Sequence, residues 1–435
     1  MDNLAAQSGS GITVAPQTPT PNASGPTRRG RTLAVMVGVA LIFLVAIIGW
    51  IVTTLAGNRQ SQKVIESIAP KQLNRIVYAV QEGNTVNVYA ANLDGTASQL
   101  LLSFDDPTWG GSPLVAKLSP TGTNLAHQFW HRGKATGLNV LDIQSGRVEQ
   151  VSPTGSTQFD WSPDGTRLVY TPFLPSPPEP YGTGQTLWGP SSWYVYDIRT
   201  GQQQVLISSE QQSSSAWPKG KRLGGLRGWV DAQHIFFDDA GEYDRIQILN
   251  IDSGRIVRTI SGIGQEDKWR HISVSPDGRR RLAVVEPWGY SGRADEQFCD
   301  VYELDGNWAL GRRLISSTGT SCTGEPGWPM LWWNGNDEMF YTTARAGNGG
   351  FINVPSIYRY RFSLGKSELV LASLADQVTS TQAFFLRGVL PGRGIAVARM
   401  APSKPDTLEM RSLDGNNPVT IKQHTEGIQF IGFIP

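Results

Sequence analysis

The sequence predicts an all-β fold: a seven-bladed β-propeller of four-stranded blades, closed by a C-terminal strand and preceded by one transmembrane α-helix. Three observations carry that reading. A hairpin turn after a short apolar strand returns as Leu93-Asp94-Gly95, Ile143-Gln144-Ser145-Gly146, Ile198-Arg199-Thr200-Gly201, Ile251-Asp252-Ser253-Gly254, Leu304-Asp305-Gly306, Leu364-Gly365 and Leu413-Asp414-Gly415. Such spacing, about 50 residues with several short strands per copy, is the mark of propeller blades. A strand running into Ser-Pro-Asp-Gly occurs at Trp161-Ser162-Pro163-Asp164-Gly165 and Val274-Ser275-Pro276-Asp277-Gly278, with Leu118-Ser119-Pro120-Thr121-Gly122 as a variant. Pro fixes φ and Gly accepts a positive one, so the motif suits a tight turn without any ligand. Finally, the first blade lacks a strand and a spare strand stands at the C-terminus.

The elements follow in chain order. Residues 1–31 are rich in Pro, Ser, Thr, Gly and Asn. Such a stretch buries too little apolar surface to offset its ordering entropy, and a disordered cytoplasmic tail is expected. No charge stands between Arg31 and Arg59, and Leu33 to Leu55 is apolar almost throughout. A bilayer needs about 20 apolar helical residues, so 32–56 is expected to span it. A buried soluble helix would keep a polar stripe. The run also exceeds the roughly 7–15 apolar residues of a cleavable signal, which favours a retained anchor in membrane lipid. Arg28, Arg29 and Arg31 precede the span, while Arg59, Lys63 and Lys71 are spread more thinly beyond it. The positive-inside rule then keeps the N-terminus in the cytoplasm. Everything after a linker over 57–74 is expected outside the cell membrane.

Residues 75–435 divide into blades. Blade 1 starts at Arg75 with strands B, C and D only. Five complete blades cover about 113–152, 157–210, 226–262, 269–318 and 328–374, and the seventh runs from Phe384 to Ile421. The leftover Gly427-Ile428-Gln429-Phe430-Ile431-Gly432-Phe433-Ile434-Pro435 is expected to supply the missing strand A, leaving no open sheet edge between the two ends.

With those Ser-Pro-Asp-Gly turns, 75–435 resembles the TolB-like propellers, a WD40-like repeat family. Blades 4, 6 and 7 depart from the pattern, with Trp229-Val230-Asp231-Ala232, Trp333-Asn334-Gly335-Asn336-Asp337 and Leu390-Pro391-Gly392-Arg393-Gly394 at the equivalent place. The resemblance implies A–B and C–D turns on one face, and B–C and D–A loops on the other. The short connections then share one face and the insertions share the opposite one. The insertions include the Pro-rich loop of blade 3 running to Trp188, the blade 5 loop with Trp288, Tyr290 and Arg293, and the blade 6 loop with Arg345. The D–A loops add Trp109, Trp217, Trp269 and Trp328. Aromatic residues with Arg are what interfaces use as anchors, and long loops in compact domains tend to be functional. A single Trp beside a strand more often packs between blades; the face as a set is the expected binding surface. Cys299 and Cys322 fall on the same face and, outside the cell, are expected to form one disulfide.

No Gly-x-Ser-x-Gly, P-loop, complete Gly-x-Gly-x-x-Gly or Asp-rich calcium loop occurs in the sequence. His127 and His131 could share a strand face, yet a zinc site needs three or four ligands, and both are expected to be packing or surface residues. Asp105-Asp106 and Asp238-Asp239 are expected to be solvated loop charges. No metal and no cofactor is expected. A net charge of +1 with 17% charged residues gives no sign of a nucleic-acid partner. The expected function is a membrane-anchored, extracytoplasmic scaffold that binds a protein or an envelope polymer. The alternative is a hydrolase or lyase acting on a glycan or peptide in the central channel, which a sheltered cluster of Asp, Glu, His and Arg would mark. A third reading is signal transmission through the short tail.

Overall fold

The computed structural model describes residues 74–105, 114–131, 134–172, 192–214, 223–239, 245–261, 268–286, 300–316, 331–343, 356–372, 383–401, 404–425 and 427–435. All belong to the compact unit Ser61–Pro435; a second unit, Met1–Gln60, lies outside the described residues, as do the expected anchor, the expected linker up to residue 73 and both cysteines. Among the described residues no helix is long and apolar enough to cross a membrane.

Among the described residues seven antiparallel sheets are present, one per blade, each a four-strand meander. Blade 2 adds the short strand Lys134–Ala135 beside its strand B. Blade 1 is completed as expected: Ile428–Ile434 pairs with Arg75–Glu82, which is followed by Thr85–Asn92 and Gln99–Asp105. The register runs from Arg75 opposite Ile434 to Val80 opposite Ile428, with a bulge between Val77 and Tyr78.

The B strands read as continuous apolar runs because both of their faces are covered. In blade 3, Leu168 and Tyr170 join a cluster with Ala126, Leu138 and Val140 of blade 2, whereas Val169 joins Ile235, Phe237 and Leu249 of blade 4. Period-two alternation thus divides one strand between two interfaces. Among the described residues there are seven such clusters, each drawing residues from two neighbouring blades. The last joins Ile76, Tyr78 and Phe430 of blade 1 to Ala396, Leu408 and Met410 of blade 7, which closes the ring.

The Ser-Pro-Asp-Gly turns satisfy themselves. Ser162 Oγ donates to Asp164 Oδ1 (2.6 Å) and accepts from the Arg167 N–H (2.9 Å), while the Gly165 N–H donates to the Ser162 carbonyl (2.8 Å). Ser275, Asp277 and Arg280 repeat the same bonds. A Trp at the end of strand A adds a staple to the preceding blade. Trp161 Nε1 donates to the Lys117 carbonyl (2.8 Å), Trp229 Nε1 to the Asp160 carbonyl (3.3 Å) and Trp333 Nε1 to Ser273 Oγ (2.8 Å).

The glycines of the C–D turns have a second task. Gly254 has φ +62°, and a Cβ there would stand 2.8 Å from the Leu206 carbonyl oxygen of blade 3. Gly254→Ala therefore meets both left-handed strain and backbone it cannot displace, and is expected to lower stability by roughly 2 kcal/mol in thermal melting. An unshifted melt would mean that the turn yields without cost.

Three expectations need correction. In blade 5 the positive φ falls on Trp308 (φ +62°) rather than Gly306, because Asp305 accepts from the Trp308 N–H and donates to the Ala309 carbonyl, which lengthens the turn. Trp308 is held there by burial and by the Arg281 guanidinium, 4.2 Å from its ring. Asp105 ends strand D of blade 1, and Asp238 and Asp239 end strand B of blade 4, because the ladders extend to Thr85 opposite Asp105 and Asp238 opposite Ile246. They are strand-end residues, not loop charges.

Candidate functional site on the inner strands

Each blade presents strand A to the axis. The inner strands of blades 3 and 4, 4 and 5, 6 and 7, 7 and 1, and 1 and 2 pack on one another, while the D strands Gln202–Ile207 and Leu310–Ile315 leave most of their side chains exposed at the rim. A polar residue on strand A that keeps exposed surface therefore opens towards the axial channel.

Four consecutive blades place such residues together. Lys117 lies on Leu114–Leu118 of blade 2, Asp160 on Ser156–Trp161 of blade 3, Arg227 on Leu223–Trp229 of blade 4, and His271 on Lys268–Val274 of blade 5. Lys117 Nζ stands 3.0 Å from Asp160 Oδ1, with 30% and 28% of the two side chains exposed. At that exposure the pair is worth about 0–1 kcal/mol to the fold, so its effect is on position and field rather than stability. The Lys117 ammonium also lies 5.9 Å from the centroid of Phe159.

The backbone beneath these charges is fixed from behind. The Trp161 staple holds the Lys117 carbonyl and the Trp229 staple holds the Asp160 carbonyl. Gly228, at φ +127°, lets strand A of blade 4 come close: a Cβ there would lie 3.6 Å from Asp160 Oδ2 and 3.4 Å from the Phe236 ring. Gln158 Oε1 accepts from the Leu226 N–H (2.6 Å), and Gln429 Nε2 donates to the Leu114 carbonyl (3.0 Å).

His271 keeps part of its surface, yet protein surrounds the ring deeply enough that burial dominates its titration. Its pKa is pushed down to about 4, with Asp160 opposing the shift and Lys117 and Arg227 adding to it. The imidazole is neutral at pH 7, able to donate from one nitrogen and accept at the other. Across the ring, blade 7 contributes Arg387, 5.4 Å from the Phe385 ring, and Asp406, whose pKa is raised by burial against the pull of Arg387. Among the described residues no group of three or more His, Cys, Asp or Glu side chains is arranged to hold a metal.

Of the residues expected to bind, Trp109, Trp188, Trp217, Trp288, Tyr290, Arg293, Trp328 and Arg345 lie outside the described residues. Trp269 belongs to strand A of blade 5, opposite Val285, instead of the D–A loop, because the pairing with strand B starts one residue earlier at Lys268. His127 is a packing residue, as expected: it is fully buried, 5.4 Å from the Phe104 ring. The axial cluster was not anticipated. Lys117 and Asp160 each stand directly before the last residue of strand A, but whole blades of sequence separate the four side chains, so no local motif records them.

No protein-family model matches the chain, and no curated protein matches it. Solved structures do. The C-terminal WD40 domain of Sif2 is 12% identical, with 81% of this chain and 84% of that one covered and a TM-score of 0.42. An uncharacterized protein of Listeria monocytogenes EGD-e is 9% identical, covering 82% and 95%, with a TM-score of 0.47. An oligogalacturonate lyase of Vibrio parahaemolyticus is 14% identical, covering 74% and 93%, with a TM-score of 0.44. Likenesses of this degree carry no argument about this chain, and the seven blades rest on its own strand pairing.

Proposed function

We propose that the chain is a membrane-anchored, extracytoplasmic propeller of the TolB-like kind that binds a protein or an envelope polymer through its loop face. One observation carries this reading. Every A–B and C–D connection within a blade is a short turn, whereas 173–192, 208–222, 287–299, 316–330, 344–355 and 372–382 are all B–C or D–A connections. The antiparallel meander puts all of those at one end of the blades. A ring whose turns are hydrogen-bonded to themselves at one end and whose insertions gather at the other is built to present loops. The charge-free run over 32–56 supports the anchor, and export supports a Cys299–Cys322 disulfide.

The test is a cross-linking capture from intact membranes, with wild type beside a Trp288→Ala, Trp328→Ala variant. A specific envelope component captured by wild type and lost in the variant is the expected result. Equal capture by both would remove the loop face from the reading.

A second reading, a hydrolase or lyase working in the channel, is favoured by the Lys117–Asp160 pair beside a neutral His271. The set contains a carboxylate, an imidazole and two cations, the groups that proton transfer and anion stabilisation require.

A further inference from the structure

The inner strands carry more basic than acidic side chains, although the chain as a whole is nearly balanced. Among the described side chains of the seven A strands the basic residues are Lys117, Arg227 and Arg387, and the one acidic residue is Asp160. The chain as a whole carries only +1. An excess of one sign along strands that converge on an axis, with protein of low dielectric behind them, focuses field into the channel and concentrates ligands of the opposite sign.

We infer that the axial channel is a binding site for a carboxylate-bearing ligand, with Lys117 and Arg227 as its cationic contacts on blades 2 and 4 and His271 as a hydrogen-bond partner on blade 5. Asp160 is a positioning residue. It holds the Lys117 ammonium at 3.0 Å and competes with the ligand for it. An ammonium is a mobile point charge on a flexible stem, suited to being handed from an internal carboxylate to an external one. The carbonyls of Lys117 and Asp160 are both fixed by Trp staples, so the exchange moves side chains and not strands. Part-exposed aromatic residues share the inner strands, Trp332 in blade 6 and Phe385 in blade 7, and give the channel an apolar side for the body of the ligand. The inference names the ligand class for the channel, on which the second reading rests, and is independent of the loop face.

The experiment is titration calorimetry on the full-length chain in detergent micelles, with four probes: a glucuronic-acid trisaccharide, an end-blocked (acetylated and amidated) tri-glutamate peptide, and their neutral counterparts, a glucose trisaccharide and end-blocked tri-glutamine. At least one acidic probe is expected to bind, more weakly as salt rises, and neither neutral one. Which acidic probe binds separates a sugar source from a peptide source. Lys117→Gln and Arg227→Gln should each weaken binding about tenfold, or about 1.4 kcal/mol. Asp160→Asn should tighten it severalfold, an outcome that a purely structural pair would not give. Equal binding of neutral probes, no acidic binding up to roughly 10 mM, or Asp160→Asn weakening binding as Lys117→Gln does would each overturn the site. The Trp288→Ala, Trp328→Ala variant should bind the acidic probe as wild type does. Lost partner capture with intact probe binding, or the reverse, shows which of the two sites has failed.

Discussion

A chain ending at Thr425 is expected to lose its cooperative fold. The closing strand contributes to three blades at once. In its own sheet it pairs with Arg75–Glu82. Towards blade 7, Phe430 is 5% exposed, sits edge-on to Phe433 with ring centroids 5.1 Å apart, and lies against Gly388, where a Cβ would meet its ring at 2.7 Å. Towards blade 2, Gln429 bonds the Leu114 carbonyl, and Gly432 packs under Leu118, 3.1 Å from where its own Cβ would be. Truncating Phe430 alone to Ala should cost about 3–5 kcal/mol. Removing the whole strand also strips the ladder from Ile76, Val77 and Tyr78, and exceeds the roughly 5–15 kcal/mol by which domains are usually stable. The measurement is thermal melting followed by circular dichroism, beside limited proteolysis. A truncated chain that melts cooperatively within a few degrees of wild type would show that blade 1 is held by other means.

That strand was legible in the sequence because a propeller parse leaves a remainder, and the remainder matched the gap. The turn glycines were legible for the same reason: a positive φ at Gly95, Gly146, Gly201, Gly254, Gly365 and Gly415 is a local requirement that a local motif records. The exception is instructive. Leu304-Asp305-Gly306 has the motif, but the ring of Trp308 finds Ile260 and Ile272 in its cluster and Arg281 over its face, and this packing outweighs the cost of a left-handed Trp. The axial cluster could not be read in the same way. Lys117, Asp160, Arg227 and His271 are separated by whole blades in sequence, and only the ring brings them together. Each looked like a strand residue of ordinary polarity. What marks them is position: exposure on the innermost strand, with a Trp staple behind two of them.

His127 should make the propeller acid-sensitive between about pH 6.5 and pH 4. It lies on strand B of blade 2, opposite Ala116 on one side and Asn139 on the other, within the apolar interface with blade 1. Both ring nitrogens are buried and have no hydrogen-bond partner. Burial alone pushes its pKa down to about 4 from 6.5. The native state therefore binds fewer protons than the unfolded chain throughout that window. The stability is fully present above the unfolded value and falls as pH drops towards the folded one, by about 3 kcal/mol in all. Below pH 4 the residue adds no further slope. His271 is shifted in the same direction, but its part-exposed ring is screened and contributes less. The turn carboxylates act lower down: Asp414, held to about 2 by bonds from Ser412 and Asn416, gives stability that is present above its ordinary range and lost only as pH falls below about 4. Urea unfolding of wild type and His127→Leu at pH 7.5 and pH 4.5 separates these effects. Leucine removes two orphaned nitrogens from an apolar interface, so the variant should match or exceed wild type at pH 7.5. At pH 4.5 it should keep most of the stability that wild type loses. Parallel losses in the two proteins would mean that the imidazole takes up its proton alike in the folded and unfolded chain, without opening the interface between blades 1 and 2.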